Sequence, residues 1–566
     1  MATNDRFEAK ILVLDDERLI RLTVCARLKR AGYEAVPVAT VDEAVAALKL
    51  HIRSFCAVIS DIMMGDMDGF VFRDIVRGMD PLMPFFFMTA LDPEEGSGFL
   101  KRIIGDPLSY YLPKSAGTEV LVKRLQRVVG ARHIQQFVEN QVEEQRKSLA
   151  LAAHVQSSML PVRAMMDDKK FYTTWWQPHE SVSGDLYDAM PIDGGRMLFA
   201  LGDIQGHGTN AALVMMAVQA FLRQTVHSYV RDGRRIAPEL LANQMHGFFR
   251  ANFAEMSYMT AVICIFDPPA EKSAERTSGG TVEYITCGAP DLRVFDAKNS
   301  SVVDVNPQNR GGLPIGLMPD TVYTKDDIVR AVLPSGAICT AFTDGVYELS
   351  KDGAEGQGSV PSEFLRTTAA ELAGDALKSC SLMVLPDKFM CACGELGYPV
   401  SGDDVSIIVF GAVQTERGTY EATTQLSPAL VDAAARHVAA WCAAENWPDD
   451  LAGRIQLVLE EHLMNIYDHG YDEQHRRRGV VSLRLRRMRD FAQLSVWDHG
   501  RPTPGMQVAA GDAATAFDLI NREFGNHGRG RLMMRQLCES IQRQRFGKLN
   551  ETTFHIPWTE EQEEHQ

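Results

Sequence analysis

Four times in the middle of the chain an aspartate stands beside glycine at the edge of an apolar run. The stretches are Ser183-Gly184-Asp185, Gly202-Asp203-Ile204-Gln205-Gly206-His207-Gly208, Phe342-Thr343-Asp344-Gly345 and Gly402-Asp403-Asp404. A carboxylate at the mouth of a strand suits a hard cation. The glycines allow a tight turn and leave room for an ion, water and substrate. An all-oxygen donor set points to Mg2+ or Mn2+ rather than zinc. Two such ions can activate a water and clamp a phosphate for in-line attack. No cysteine or serine nucleophile with a matched histidine is evident, which favours direct hydrolysis over a covalent intermediate. His207 reads either as a phosphate-site residue or as a helix-capping or packing residue.

Two further sets flank this one. Near the N-terminus, apolar runs end in Asp15-Asp16, Asp61, Thr89 and Lys114. Acidic residues at two strand ends can hold Mg2+ and leave one carboxylate as a phosphoryl acceptor, with Lys114 and Thr89 placed to contact the phosphoryl group. Near the C-terminus, Glu461 and Asn465 are four apart and share a helix face. One can act as general base and the other as a Mg2+ ligand near a nucleotide. Leu494-Ser495-Val496-Trp497-Asp498-His499-Gly500 reads as a strand ending in Asp and Gly. Gly525-Asn526-His527-Gly528-Arg529-Gly530 precedes a helical run, where backbone N–H groups can meet phosphates.

The elements that must position these residues follow from periodicity. Over residues 1–130, short apolar runs alternate with helical patterns at 19–30 and 41–50, which predicts a parallel sheet covered on both faces. In such sheets the chemistry sits at the C-terminal strand ends, where all the named polar residues fall. Residues 131–160 are charge-rich, carry Val142, Leu149, Leu151, Val155 and Met159 at near-helical spacing, and stop at Pro161. A solvated helix and a helix pairing two copies of the chain as a homodimer both fit. Over 161–413, strands are expected at 171–176, 258–266, 282–286, 292–295 and 406–410, with helices near 210–230 and 238–252. Two packed sheets would bring the four acidic loops together. Over 419–560, helices are expected at 427–445, 451–469 and 532–538.

A chain of 566 residues is too long for one core, and 45% hydrophobic content supports folded domains. A net charge of −16 argues against a general nucleic-acid binder. No signal peptide opens the sequence and no apolar run is long enough to span a bilayer, so no membrane association and a cytoplasmic location are expected. Ten scattered cysteines form no disulfide framework, and Cys391 and Cys393 read as packed or free thiols. Arg476, Arg477, Arg478, Arg484, Arg486, Arg487 and Arg489 make a basic stretch, read either as a solvated face or as a docking surface for an acidic partner.

The first set resembles the receiver domain of two-component response regulators. That resemblance implies a CheY-like doubly wound fold, Asp61 as phosphoacceptor fed by an upstream histidine kinase, Asp15 and Asp16 as Mg2+ ligands with Asp61, and Thr89, Tyr111 and Lys114 as switch residues. Gly65 and Ser115 depart from the prolines usual there.

The second set, read with Val155-Gln156, Leu160-Pro161, Tyr258-Met259-Thr260-Ala261 and Asp403-Asp404-Val405-Ser406, resembles the PPM family of metal-dependent protein phosphatases, in the branch that controls sporulation and stress sigma factors. It implies an α/β sandwich holding two Mn2+ or Mg2+. Asp203 would bridge both ions, the Ile204 carbonyl would contribute, and Asp185, Asp344 and Asp403 would complete the shells, with Asp404 the adjacent alternative to Asp403. The implied substrate is a phosphoserine or phosphothreonine on a small anti-anti-sigma (STAS-type) protein.

The third set resembles the GHKL (Bergerat) ATPase fold, specifically the serine kinases that act as anti-sigma factors. It implies ATP and Mg2+, with Asn465 on the ion, Glu461 as base, Asp498 and Gly500 on the adenine side, Gly528 and Gly530 in the phosphate loop, and a lid over 505–524. Gly500-Arg501-Pro502 lacks the second glycine common there. A histidine kinase is disfavoured, because a phosphatase-like segment stands where a dimerisation hairpin would be. The fold class is therefore multidomain α/β and α+β. The expected function is control of one partner's serine phosphorylation in both directions, gated by Asp61. The alternatives are a scaffold whose C-terminal domain sequesters a sigma factor, and a nucleotide cyclase, against which the order of the four aspartates argues.

Overall fold

The computed structural model describes residues 10–64, 67–90, 102–103, 105–253, 257–270, 278–299, 301–350, 381–395, 397–398, 402–413, 418–471, 479–501 and 529–558. The chain divides into two compact units, Met1–Ser148 and Leu149–Gln566.

The first unit holds a parallel sheet in the order Glu34–Val38, Lys10–Leu14, Phe55–Asp61, Phe85–Thr89, Ser109–Pro113. Side chains alternate between the two faces of a strand, and here both faces are buried. Leu12, Leu14, Val58, Phe85 and Phe87 pack with Val41, Leu48 and Phe72 on one side. Ile11, Val13, Ile59, Phe86 and Met88 pack with Val24, Leu28 and Leu125 on the other. Helices Arg18–Arg30, Val41–His51 and Gly69–Met79 supply much of that cover.

The expected connector is longer than its sequence pattern suggested. A single helix runs from Thr118 to Met159. No proline interrupts it, and Gly130 alone costs a helix only about 1 kcal/mol, too little to break it.

The second unit stacks three sheets. One has the order Asp185–Pro191, Met197–Ile204, Met259–Asp267, Ser278–Cys287, Val329–Pro334; another runs Ser301–Val303, Arg293–Asp296, Ala337–Phe342, Val405–Ala412, Lys170–Gln177, Ala164–Met166. Their inner faces meet through Tyr172, Phe199, Phe266, Tyr284 and Phe410, with Phe199 and Phe410 stacked at 4.1 Å. Helices Gly208–Arg231 and Pro238–Phe253 cover the outer face of the first, over Leu198, Ala200, Ile263 and Ile265.

The third sheet, Thr419–Gln425, Val480–Arg487, Phe491–Asp498, Leu549–Pro557, Ser540–Phe546, is antiparallel throughout. Helices Pro428–Ala444 and Asp449–Asn465 bury one of its faces against Leu483, Leu485, Leu494 and Val496. From the other face Val480, Trp497 and Leu549 join Phe171, Trp175, Phe389 and Val409 of the phosphatase-like part in one continuous core.

Candidate functional sites

Antiparallel register sets Asp185 directly opposite Asp203. Cross-strand partners share a face and stand close enough for like charges to repel. Asp185 is 1% exposed. Its Oδ2 accepts hydrogen bonds from Ser406 Oγ at 2.6 Å and Thr343 Oγ1 at 2.9 Å. Its Oδ1 is buried without a partner, as is Oδ1 of Asp344.

Burial first, then Asp203, pushes the Asp185 carboxyl well above its usual range. Burial, then Asp344, Asp403, Asp404 and Glu348, pushes Asp203 up to about 8. Burial and Asp403 raise Asp344. Carboxylates that raise one another in this way cannot all ionise unless a cation neutralises them, although among the described residues only Asp15, Asp16 and Asp61 bring three ligand oxygens within 4.8 Å of one another. The orphaned oxygens and the all-oxygen donor set fit Mg2+ or Mn2+.

Asp403 and Asp404 divide their work. Asp404 is 2% exposed, and its two oxygens accept from the backbone N–H of His179 at 2.6 Å and of Gly184 at 2.7 Å. It anchors the loop that presents Asp185. Asp403 is half-buried and is felt by both Asp203 and Asp344. Gly184 is closely enclosed: a Cβ there would lie 3.1 Å from the Ile204 carbonyl oxygen and 3.1 Å from Ala211 Cβ, so a larger residue would push on both. Gly206 and Gly208 hold φ of +92° and +77°, the left-handed turn for which glycine is suited. His207 takes the N-cap position of helix Gly208–Arg231 without a side-chain cap bond. Its exposed imidazole instead stands 3.4 Å from Glu180.

In the first unit Lys114 Nζ lies 2.6 Å from Asp61 Oδ2 and 3.1 Å from Asp15 Oδ2. Burial opposes the charge on Lys114, but Asp61 and Asp15 outweigh it and raise the ammonium pKa. Burial raises Asp15. Asp15, Asp16 and Asp61 bring ligand oxygens within 4.8 Å of one another, so they also fit a hard cation. Thr89 ends its strand, 4% exposed, and its carbonyl accepts from Lys114 N–H at 2.8 Å. Tyr111 is half-buried on the neighbouring strand.

Helix Asp449–Asn465 puts Glu461 and Asn465 one turn apart, and Asn465 Nδ2 donates to the Glu461 carbonyl at 2.7 Å. The α-helix stops at Asn465, short of the expected 469. Ile466–Gly470 forms a wider π-turn, a feature common where helices carry sites. Asp498 is 5% exposed and accepts from Gly500 N–H at 2.7 Å and Asn550 Nδ2 at 2.9 Å. Burial raises its pKa. A Cβ on Gly500 would fall 2.8 Å from Asp498 Oδ1. Gly530 lies in the first turn of helix Arg529–Leu537. Gly528, and the lid expected at 505–524, lie outside the described residues, as do Arg476, Arg477 and Arg478.

One expectation is corrected. Arg484 is no part of an exposed basic patch: it is 5% exposed and paired with Glu421 at 3.0 Å. It alternates inward on its strand, while Arg487 is exposed and lies over the Trp558 ring. Sequence reasoning also missed the groups that hold the site residues: Thr343 and Ser406 on Asp185, and Asn550 on Asp498. Thr343 and Ser406 lie inside the quoted motifs, but no spacing rule links them to Asp185.

Comparison with known proteins gives three matches along the chain. The response regulator receiver domain model matches residues 11–126, the stage II sporulation protein E (SpoIIE) model residues 193–412, and the histidine kinase-like ATPase domain model residues 424–556. The phosphoserine phosphatase RsbP of Bacillus subtilis (strain 168) is 22% identical over 203 residues, 36% of this chain and 46% of RsbP. The response regulator protein FleR of Pseudomonas aeruginosa is 39% identical over 83 residues, 14% of this chain and 17% of FleR. The chain thus spans less than half the length of these curated relatives. Among solved structures, the RsbU and RsbW domains of Rv1364c from Mycobacterium tuberculosis align with TM-score 0.36 and 19% identity, covering 71% of this chain and 96% of that one. The SiaA-PP2C domain of Pseudomonas aeruginosa aligns with TM-score 0.36 and 20% identity, covering 48% and 97%. One chain therefore joins a receiver domain, a SpoIIE/PPM-type phosphatase domain and a GHKL-like ATPase domain. Among the described residues no helix is long and apolar enough to cross a membrane.

Proposed function

We propose that this chain sets the serine phosphorylation state of one small STAS-type anti-anti-sigma partner from both directions, under the control of Asp61. The observation that carries the reading is the opposition of Asp185 and Asp203, each with a raised carboxyl, beside Asp344 and Asp403. Asp203, Asp185, Asp344, Asp403 and the Ile204 carbonyl would hold two Mn2+ or Mg2+, which when bound supply a polarised water and neutralise charge on the phosphate. Thr343 and Ser406 fix the rotamer of Asp185, and Asp404 fixes its loop. Water would attack phosphorus in line, breaking the P–O bond of the phosphoserine and leaving a serine hydroxyl and inorganic phosphate.

In the opposite direction, Asn465 would hold Mg2+ on ATP and Asp498 would accept from the adenine amino group. Glu461 would take the proton of the partner's serine hydroxyl as it attacks the γ-phosphorus, releasing ADP. In the receiver domain, Asp61 would accept a phosphoryl group from an upstream histidine kinase, with Asp15, Asp16 and Asp61 around Mg2+, Lys114 paired to the phosphoryl group, and Thr89 and Tyr111 responding to it. The preferred sign is that this favours the phosphatase.

The test uses the full chain and a phosphorylated STAS-type partner. Asp203→Asn should abolish phosphate release and spare ATP-dependent labelling of the partner; Asn465→Ala should do the reverse. Loss of both activities in one variant would show that the sites are not separable. Tight partner binding with no labelling would favour the scaffold reading. Equal phosphate release with and without an acyl phosphate donor would remove Asp61 from the scheme.

A further inference from the structure

Gln156 stands three residues before the end of helix Thr118–Met159 and is completely buried. Its Nε2 donates to the Ser183 carbonyl at 2.6 Å, and its Oε1 accepts from the Ser183 N–H at 3.0 Å. One side-chain amide thus satisfies both backbone groups of a single residue, as a neighbouring strand would. Ser183 is itself 0% exposed, and its Oγ accepts from Asp185 N–H at 3.0 Å. The next residue, Gly184, is held by Asp404.

The Asp185 loop therefore hangs from two main anchors. Asp404 belongs to the sandwich. Gln156 belongs to a helix that begins at Thr118, directly after the receiver strands in the chain. A helix advances about 1.5 Å per residue, and a hydrogen bond stretched to about 3.6 Å is no longer one. A slip of one residue along the axis, or a turn about it, would leave the Ser183 N–H and carbonyl buried without partners.

We infer that Gln156 is a positioning residue for Asp185, so that the last turn of this helix sets how well the phosphatase site holds its metal ions. This rests on the phosphatase reading above. Removal of a group that orients a metal ligand commonly weakens metal affinity by about ten- to a hundred-fold. A shift of the helix would act on the same contact, giving the receiver a route to the metal ligand that needs no contact with substrate.

The test is Mn2+ titration of the full chain by calorimetry, with thermal unfolding of the metal-free protein as a check on folding. Binding that disappears in Asp203→Asn defines the phosphatase sites. Gln156→Met keeps the buried volume and removes both hydrogen bonds. It should weaken those sites about ten-fold or more while phosphate release recovers at saturating Mn2+ with unchanged KM. A lower unfolding temperature with unchanged Mn2+ affinity would mean a purely structural role and would overturn the inference. Should Gln156→Met not fold, Gln156→Glu, which keeps the acceptor and loses the donor, is read in the same way. If Asp203→Asn removes no Mn2+ binding, the phosphatase reading itself fails. If binding depends on Asp203 but not on Gln156, only the present inference fails.

Discussion

His499 Nε2 lies 2.9 Å from Asp387 Oδ1, and Arg163 Nη2 reaches the same oxygen at 2.8 Å. Arg163 and Asp387 belong to the phosphatase-like part, and His499 follows Asp498 in the ATPase-like part. Burial pushes the Asp387 carboxyl up, but Arg163 and His499 more than offset this and its pKa falls. Burial and Arg163 lower His499, which is therefore neutral near pH 7 and donates its Nε2–H, while Arg163 carries the balancing charge. Asp387→Ala would leave Arg163 without its acidic partner. Such losses typically cost about 3–5 kcal/mol. We expect one cooperative unfolding transition to move down by calorimetry and ATP affinity to fall with it. An unchanged ATP affinity would show that the contact holds the domains together without informing the nucleotide site.

Acid should destabilise this part of the molecule. His462 is buried against Phe554, and burial lowers its pKa to about 3. His499 is shifted the same way. A group with a depressed folded pKa contributes stability above its unfolded value and loses it as pH falls. His462 should therefore cost about 1.4 kcal/mol per pH unit below roughly 6.5, and His499 adds to the decline in the same direction. Unfolding free energies should be flat from pH 8 to 7 and decline towards 5.5. His462→Leu should flatten the acid limb, and an equally steep limb in that variant would exclude His462 as its source.

Removing metal should reverse the trend on the alkaline side. Asp203, raised to about 8 by burial and then by its acidic neighbours, favours the protonated form when folded. A carboxyl with a raised folded pKa stabilises below its unfolded value, near 4, and loses that contribution as pH climbs through the folded value. Above about pH 6.5, where the histidine limb has ended, the EDTA-treated chain should lose thermal stability up to about pH 8, and Mn2+ should restore more at pH 8 than at pH 6. Equal recovery at both pH values would mean that the cluster binds no ion through these carboxylates.

The two adjacent aspartates should fail differently. Asp403→Asn removes a carboxylate that faces Asp203 and Asp344 and should weaken Mn2+ binding with little change in unfolding temperature. Asp404→Asn leaves the N–H groups of His179 and Gly184 with a poorer acceptor, and should lower the unfolding temperature as well. Loss of a charged acceptor for buried donors costs about 1.5–3 kcal/mol. Identical phenotypes by calorimetry and thermal melts would refute this division.

Much of the site was legible because its chemistry is local. Glycine beside aspartate at the end of an apolar run marks Asp185, Asp203 and Asp344 without any knowledge of pairing. What remained hidden is long-range. Asp403 and Asp404 lie in the turn just before strand Val405–Ala412, where no periodicity rule says which carboxylate meets the cluster and which holds the backbone. Arg163, Asp387 and His499 are too far apart in the chain for spacing to suggest that they meet. The helix expected to end at 469 gives way at Asn465, because a π-turn there carries the chain to Gly470, whose carbonyl receives the Arg501 N–H at 2.6 Å.

Trp497, 2% exposed, sits in the same packed core as Phe171 and Phe389. Cutting the chain between the phosphatase-like and ATPase-like domains would bare an indole together with Val480 and Leu549, an oily scar that invites precipitation. Excised fragments are thus poor proxies for the parent, and swapping either half for a homologue's would require grafting the matching wall. The shared packing thus ties the two domains into a single block.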